Sequence, residues 1–362
     1  MRVLVTIQHP AHVHFFRHSI AEWLTTGHAV RVCVREKSVV TDLLDAYGIE
    51  YRLLSDATTS LVDLAVTQVV WEARLLREAR RFDPDVLVAI AEPGITHVAR
   101  LVGARSLLFT DTEHSWIQNR LAFPFAHRIC VPDCFFGDLP RTATTYPSYH
   151  ELAYLHPDRF QPSADVLERH GIDTDDRLVV LRTVAWDAAH DFGASGLEGI
   201  EGVVDELEST GATVVVSAEA PLPPDLVDRR YTGPPADIHH LLAHASLVVG
   251  EGATTAAEAA VLGTPAIFIS EWELGYTRDL ERYGLVYNFV ESDRETRQRR
   301  GIDRALRLLS GSIDEIDWAA RRRRLLADKL DTTTVVREQV ADLVTECRPS
   351  AERTSDTEEV RP

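Results

Sequence analysis

SLVVGEGATTAAEAAVLGTPAIFI, residues 246–269, is the stretch whose reading decides the fold. The apolar run 247–249 reads as a strand buried on both faces. Gly250-Glu251-Gly252 follows with two residues that let the backbone turn tightly and approach a ligand. Residues 254–262 then carry a helix, which Gly263-Thr264-Pro265 stops before a second buried strand at 266–269. Strand, glycine loop, helix and strand make one βαβ unit, whose strands belong in a single parallel sheet. The loop is not a Walker loop, because no Gly-Lys-Ser/Thr follows it. Nor is it a G-x-G-x-x-G fingerprint, because Ala-Thr-Thr follows its second glycine.

The same alternation runs outward from this unit. Towards the N-terminus it predicts strands at 178–182 and 213–217, with helices over about 196–209 and 237–244. From the start of the chain it predicts strands at 3–7, 29–34, 49–53, 85–90, 105–110 and 127–131, with helices over 12–24, 39–47 and about 61–81. Pro140, Pro147, Pro157 and Pro162 interrupt the text between these two blocks. The expected fold class is therefore α/β, with two Rossmann-like, doubly wound parallel-sheet domains facing a central cleft. The boundaries read as 1–155 for the first domain, 156–176 for the connection and 177–346 for the second, with helices dominating from about 294. A polar tail, 347–362, is expected to be disordered.

Composition narrows the classes of function. With 362 residues and a formal charge of −18, the chain is long enough for two ordinary domains and repels nucleic acid and anionic membrane. The basic run 321–324 reads as a solvated helix face in this acidic context. Four scattered cysteines, Cys33, Cys130, Cys134 and Cys347, show no paired metal spacing and suit a reduced compartment. No apolar run approaches the about 20 residues that span a bilayer, and the opening MRVLVTIQHP enters a strand without a signal-peptide core. A cytoplasmic location is expected. The amphipathic helix at 61–81 reads as core-facing, with a peripheral contact to a membrane or lipid acceptor as its alternative.

Candidate chemistry gathers in the loops that leave the strands. Unpaired amides opening the helix after Gly250 and Gly252, with the Thr254 and Thr255 hydroxyls, make a cradle for diphosphate. Glu258 lies one turn further along the face of Thr254, where a carboxylate can accept two bonds from ribose hydroxyls. Arg182, at a strand end on the same sheet edge, can neutralise diphosphate. Ordinary turns, caps and salt bridges are the structural alternatives. Tyr231 and His239 border the same edge without a readable role.

In the first domain, His9, His12 and His14 follow the opening strand. His12 begins a helix whose positive end keeps a nearby imidazole neutral, fit to act as a base or a donor. The three histidines sit at a turn where they need not converge, so no metal is expected, and no cofactor is required. Asp111 and Glu113, just past a strand, can divide acid and base work, with His114 beside them. Glu92, after the 85–90 strand, reads as a substrate contact or a helix cap. The catalytic candidates are thus His12, Asp111 and Glu113.

HPAHVHFF at 9–16, TGHAVRVCVRE at 26–36, FTDTEHS at 109–115, YLHPDRFQP at 154–162 and GEGATTAAEAAVLGTPAI at 250–267 together resemble the mostly archaeal DUF354 family. That family is similar to enzymes of the glycosyltransferase-B (GT-B) fold, including UDP-N-acetylglucosamine 2-epimerases and MurG-type transferases. The resemblance implies a nucleotide-sugar donor, with a UDP-sugar favoured, held by the second domain: diphosphate at 250–255 and ribose at Glu258. It also implies an acceptor facing His9 to His14. Where related enzymes carry Ser-Gly-Gly or Gly-Gly-Gly, this chain has Gly-Glu-Gly. The expected function is glycosyl transfer to an unidentified cytoplasmic or lipid-linked acceptor. Hydrolysing epimerisation and non-catalytic nucleotide-sugar binding are the alternatives.

Overall fold

The computed structural model describes residues 1–35, 38–55, 61–173, 176–183, 197–218, 221–312 and 315–346. The tail from 347 lies outside them. In chain order the first block is β1 (Arg2–Ile7), α1 (Pro10–Thr25), β2 (Ala29–Arg35), α2 (Ser38–Ala46), β3 (Tyr51–Ser55), α3 (Leu61–Phe82), β4 (Val86–Ile90), α4 (Pro93–Val102), β5 (Arg105–Phe109), α5 (Trp116–Ala122), β6 (Arg128–Pro132), β7 (Ala143–Tyr146), α6 (Leu152–Leu155) and α7 (Ala164–Glu168). The second is β8 (Leu178–Thr183), α8 (Ile200–Glu208), β9 (Thr213–Ala218), α9 (Ile238–His244), β10 (Leu247–Gly250), α10 (Ala253–Leu262), β11 (Ala266–Ile269), α11 (Gly275–Arg282), β12 (Val286–Phe289), α12 (Arg294–Arg307), α13 (Trp318–Asp328) and α14 (Thr332–Thr345).

Two separate parallel sheets result. The first runs β3-β2-β1-β4-β5-β6-β7 and the second β12-β11-β10-β8-β9. Strand order reverses between β1 and β4 in the first sheet and between β8 and β10 in the second. In open α/β sheets these reversals leave a crevice beyond the carboxyl ends of the strands. The loops at the two crevices are those after β1 and β4, and those after β8 and β10.

Burial explains why the central strands were readable. β10 and β11 are buried along their whole length and β1 beyond its first residue, as parallel strands covered on both faces must be. The edge strands β7 and β12 were not expected from sequence. β7, Ala-Thr-Thr-Tyr, exposes its two threonines, and β12 is only half-buried, so neither carries a sustained apolar run. Helix α3 turns Trp71, Leu75 and Ala79 into the core beside β4 and α4.

The last helix returns to the first unit. α14 packs on α1, α6 and β5 of the first unit. The Thr332 hydroxyl donates to Tyr149 O at 2.6 Å, the Thr333 hydroxyl to Ala153 O at 2.7 Å, and Arg128 Nη1 to Gln339 Oε1 at 3.0 Å. Amphipathic periodicity announces a helix but not which sheet it covers. Beside this crossing, Lys329 Nζ lies 3.2 Å from Asp133 and 2.9 Å from Asp279, which joins the two units through a half-buried ion triplet. Among the described residues no helix is long and apolar enough to cross a membrane.

Thr332 is fully buried, and its hydroxyl also lies 2.7 Å from Ser148 Oγ. Thr332→Val keeps the shape and strands these polar partners. It should cost about 1–3 kcal/mol in urea unfolding. An unchanged midpoint would show that α14 is not anchored through this residue.

Candidate active site

On the second unit, β10 comes so close to β8 that only glycine fits at its end. A Cβ on Gly250 would lie 2.2 Å from Arg182 O, and Gly250 and Arg182 are register partners. Gly252 is the N-cap of α10 and supplies no side-chain acceptor to the helix amides. Arg182 Nη1 donates to Ser217 Oγ at 3.0 Å, and Thr254 hydrogen-bonds the buried Tyr276. The sequence-predicted cluster Arg182, Gly250, Gly252, Thr254 and Thr255 is therefore drawn together at the β8–β10 reversal.

One turn along α10, Glu258 is 7% exposed. Its Oε1 accepts from the Tyr154 hydroxyl at 2.9 Å and lies 2.9 Å from His239 Nε2. Both partners pack on His14, with ring centroids 5.2 Å away for Tyr154 and 4.6 Å for His239. The carboxylate expected to meet a ribose is thus also a bridge between the units.

The N-terminal histidines make different contacts. His9 caps α1, its Nδ1 accepting from Ala11 N at 3.2 Å, and its ring stands 5.8 Å from that of the half-buried His12. His14 is buried beside Tyr47, whose hydroxyl lies 3.2 Å from its Nδ1, and burial holds its pKa well below the ordinary imidazole value. Glu92 is occupied as a cap: its carboxylate accepts from Gly94 N at 2.7 Å, Ile95 N at 3.2 Å, Trp71 Nε1 at 3.3 Å and the Thr6 hydroxyl at 3.3 Å. Ala91, just before it, has φ +44°, a left-handed backbone that marks strain at the β4 crevice.

Beyond β5 the carboxylates separate in character. Asp111 Oδ2 lies 3.0 Å from His150 Nδ1, and its Oδ1 accepts from the Thr112 hydroxyl at 3.0 Å. Burial acts to raise the Asp111 carboxyl, but His150 and Thr112 outweigh it and hold it below its ordinary value. Glu113 Oε1 accepts from Gly275 N at 3.1 Å and Phe136 N at 3.4 Å, and burial pushes the group up to about 7. His114 Nε2 lies 2.7 Å from Glu273 O, with its ring 4.5 Å from Trp272, so it too reaches the second unit.

Four residues at this interface escaped the sequence reading or its roles: His150, Glu151, Tyr154 and His239. Glu151 is buried, and burial with the Asp111 charge beside it lifts its carboxyl well above the ordinary range. The first three lie in the proline-broken end of the first domain, where only the His-Glu pair hints at chemistry. Among the described residues, Asp133, Cys134 and Asp279 form the group close enough to share an ion, but Lys329 already sits on both of its carboxylates.

The folded Glu113 keeps its proton to about pH 7, whereas an unfolded glutamate releases it near its ordinary 4.5. The folded state binds more protons between these values, so this group's contribution is fully present below about 4.5 and is lost as pH rises through about 7. Wild type should accordingly lose stability relative to Glu113→Gln between those pH values, read by urea unfolding at pH 5 and pH 8. An equal difference at both would contradict the raised value.

None of the curated proteins matches the sequence. Solved structures do match by shape. The UDP-GlcNAc 2-epimerase from Neisseria meningitidis, bound to UDP-GlcNAc, superposes with TM-score 0.69 at 11% identity, over 94% of this chain and 100% of that one. The S. aureus MnaA–UDP complex gives 0.67 at 10%, over 95% and 98%, and the spinosyn forosaminyltransferase SpnP gives 0.61 at 17%, over 95% and 99%. The two facing parallel-sheet units are the GT-B fold that these structures share. Residues 1–346 match the family described as "Protein of unknown function (DUF354)", and the chain belongs to that family.

Proposed function

We propose that this protein is a nucleotide-sugar enzyme, and specifically a GT-B glycosyltransferase that moves a sugar from a UDP-type donor to an acceptor hydroxyl. One observation carries the reading: at the β8–β10 reversal a glycine turn leads into α10, whose N-terminus receives no side-chain cap, beside Arg182, and Tyr276 next to Thr254 lies within the electrostatic reach of Asp111, Glu113 and Glu151 of the first unit. Helix amides and Arg182 would hold diphosphate and stabilise it as it departs. Glu258 would bind ribose, exchanging its bonds to Tyr154 and His239 for bonds to the donor. The first unit, with His12, Asp111 and Glu113 as candidates, would handle the proton. Support comes from the structures of similar shape that hold UDP-GlcNAc or UDP.

Hydrolysing epimerisation is the second reading. It is favoured by the two carboxyls, Asp111 below and Glu113 above their ordinary values, that follow one strand; such a split suits removal and return of a proton. A nucleotide-sugar sensor would bind donor without turnover.

Calorimetry and nucleotide release with UDP-, GDP-, dTDP- and CMP-sugars test these readings. Donor should bind, and Glu258→Ala should weaken it about 10- to 100-fold, as expected for losing hydrogen bonds to a charged group. Release of nucleotide from donor and water alone would select epimerisation. Absence of binding to any donor by folded wild type would overturn the nucleotide-sugar proposal.

A further inference from the structure

The Asp111–His150 pair has the form of a base held in place by a carboxylate. His150 is 8% exposed and lies in the segment between β7 and α6, which is fixed on several sides. The Ser148 hydroxyl donates to Leu330 O at 2.5 Å, the Tyr149 hydroxyl donates to Asp279 at 2.6 Å, and the Phe15 ring stands 4.6 Å from the imidazole. With Nδ1 3.0 Å from Asp111, whose carboxyl is held below its ordinary value, the contact favours the tautomer that donates from Nδ1 and presents a lone pair at Nε2.

That Nε2 is buried and meets no hydrogen-bond partner among the described residues. Buried polar atoms are partnered in the great majority of cases, so such an atom needs an explanation. It is not alone. Thr110 Oγ1, the Tyr146 hydroxyl and Glu151 Oε2 are also buried without a partner. The Asp111 charge acts on both Tyr146 and Glu151, and Tyr276 of the second unit lies within the electrostatic reach of Asp111, Glu113 and Glu151. These groups therefore share one region at the interface of the two units. Of the other candidates in the first unit, Glu92 is engaged as a cap, His14 lies within aromatic packing, and Glu113 Oε1 is taken by two amides, its Oε2 joining the buried atoms without a partner.

We propose that His150 Nε2 is the proton acceptor of this site, with Asp111 as its positioning residue and an alcohol-bearing acceptor as its substrate class. This rests on the transfer reading above. As the acceptor oxygen bonds to the anomeric carbon, its O–H proton passes to His150 Nε2. The bond from the anomeric carbon to the phosphate oxygen breaks, and its electron pair leaves with the nucleoside diphosphate. The imidazolium so formed is stabilised by the Asp111 carboxylate and later releases its proton to solvent.

The test uses the full chain in two arms. In the first, ¹⁵N-histidine NMR without substrate should show His150 protonated on Nδ1 in wild type, and Asp111→Asn should abolish that preference. An Nε2-protonated His150 in wild type overturns the proposal. In the second, each of the four nucleotide sugars is supplied with a mixed panel of alcohol acceptors. His150→Gln should bind donor within about twofold of wild type, which also shows that it is folded, yet lose about 10²- to 10⁴-fold in kcat. Asp111→Asn, isosteric and so the safeguard against misfolding, should lose kcat with donor affinity kept. Wild-type kcat in His150→Gln overturns the base assignment alone, while donor that fails to bind wild type overturns the underlying reading, so the two failures are distinguishable.

Discussion

The buried carboxylate of Glu258 is the constraint on which the arrangement of the two units turns. A carboxylate removed from water is tolerated only when its oxygens are hydrogen-bonded. Here the partners come from Tyr154, in the segment leaving the first unit, and His239, in the second, with His14 packed against both. Parting α10 from the first unit gives up the Tyr154 bond and the packing on His14, while His239 stays with α10. In the proposed reading the ribose hydroxyls replace the lost bond, which couples the arrival of donor to the parting of this contact.

The electrostatics of the interface follow from the same economy. Five carboxyls, Asp111, Glu113, Glu151, Glu251 and Glu258, gather near a place proposed for an anionic diphosphate, in a chain already at −18. Ionised together they would repel the ligand and one another. The structure divides them: Asp111 keeps its charge beside His150, while burial favours the neutral forms of Glu113 and Glu151. Like charges in a dry site separate their pKa values in this way.

The sequence made the strands and the glycine turn legible because each carries a local pattern: an unbroken apolar run for a doubly covered strand, and two glycines where β10 meets β8. Edge strands β7 and β12 lacked such a run. The partner of Asp111 could not be found locally either, since His150 lies beyond two further strands in a stretch whose prolines erase any period. Glu92 was equally readable as a cap or as a contact, and only the three-dimensional positions of Gly94, Trp71 and Thr6 show how its oxygens are used. Local chemistry was visible in the text, but pairings across the cleft were not.

The return of α14 to the first unit has a consequence for how the protein is made. Helix α1, near the beginning of the chain, is covered in part by a helix that is translated some three hundred residues later. At about 5–20 residues per second, that interval is roughly 15–60 s. During it, the apolar side of the first unit that α14 will cover stays open to the surrounding solution, so the half that leaves the ribosome first cannot be the half that finishes first.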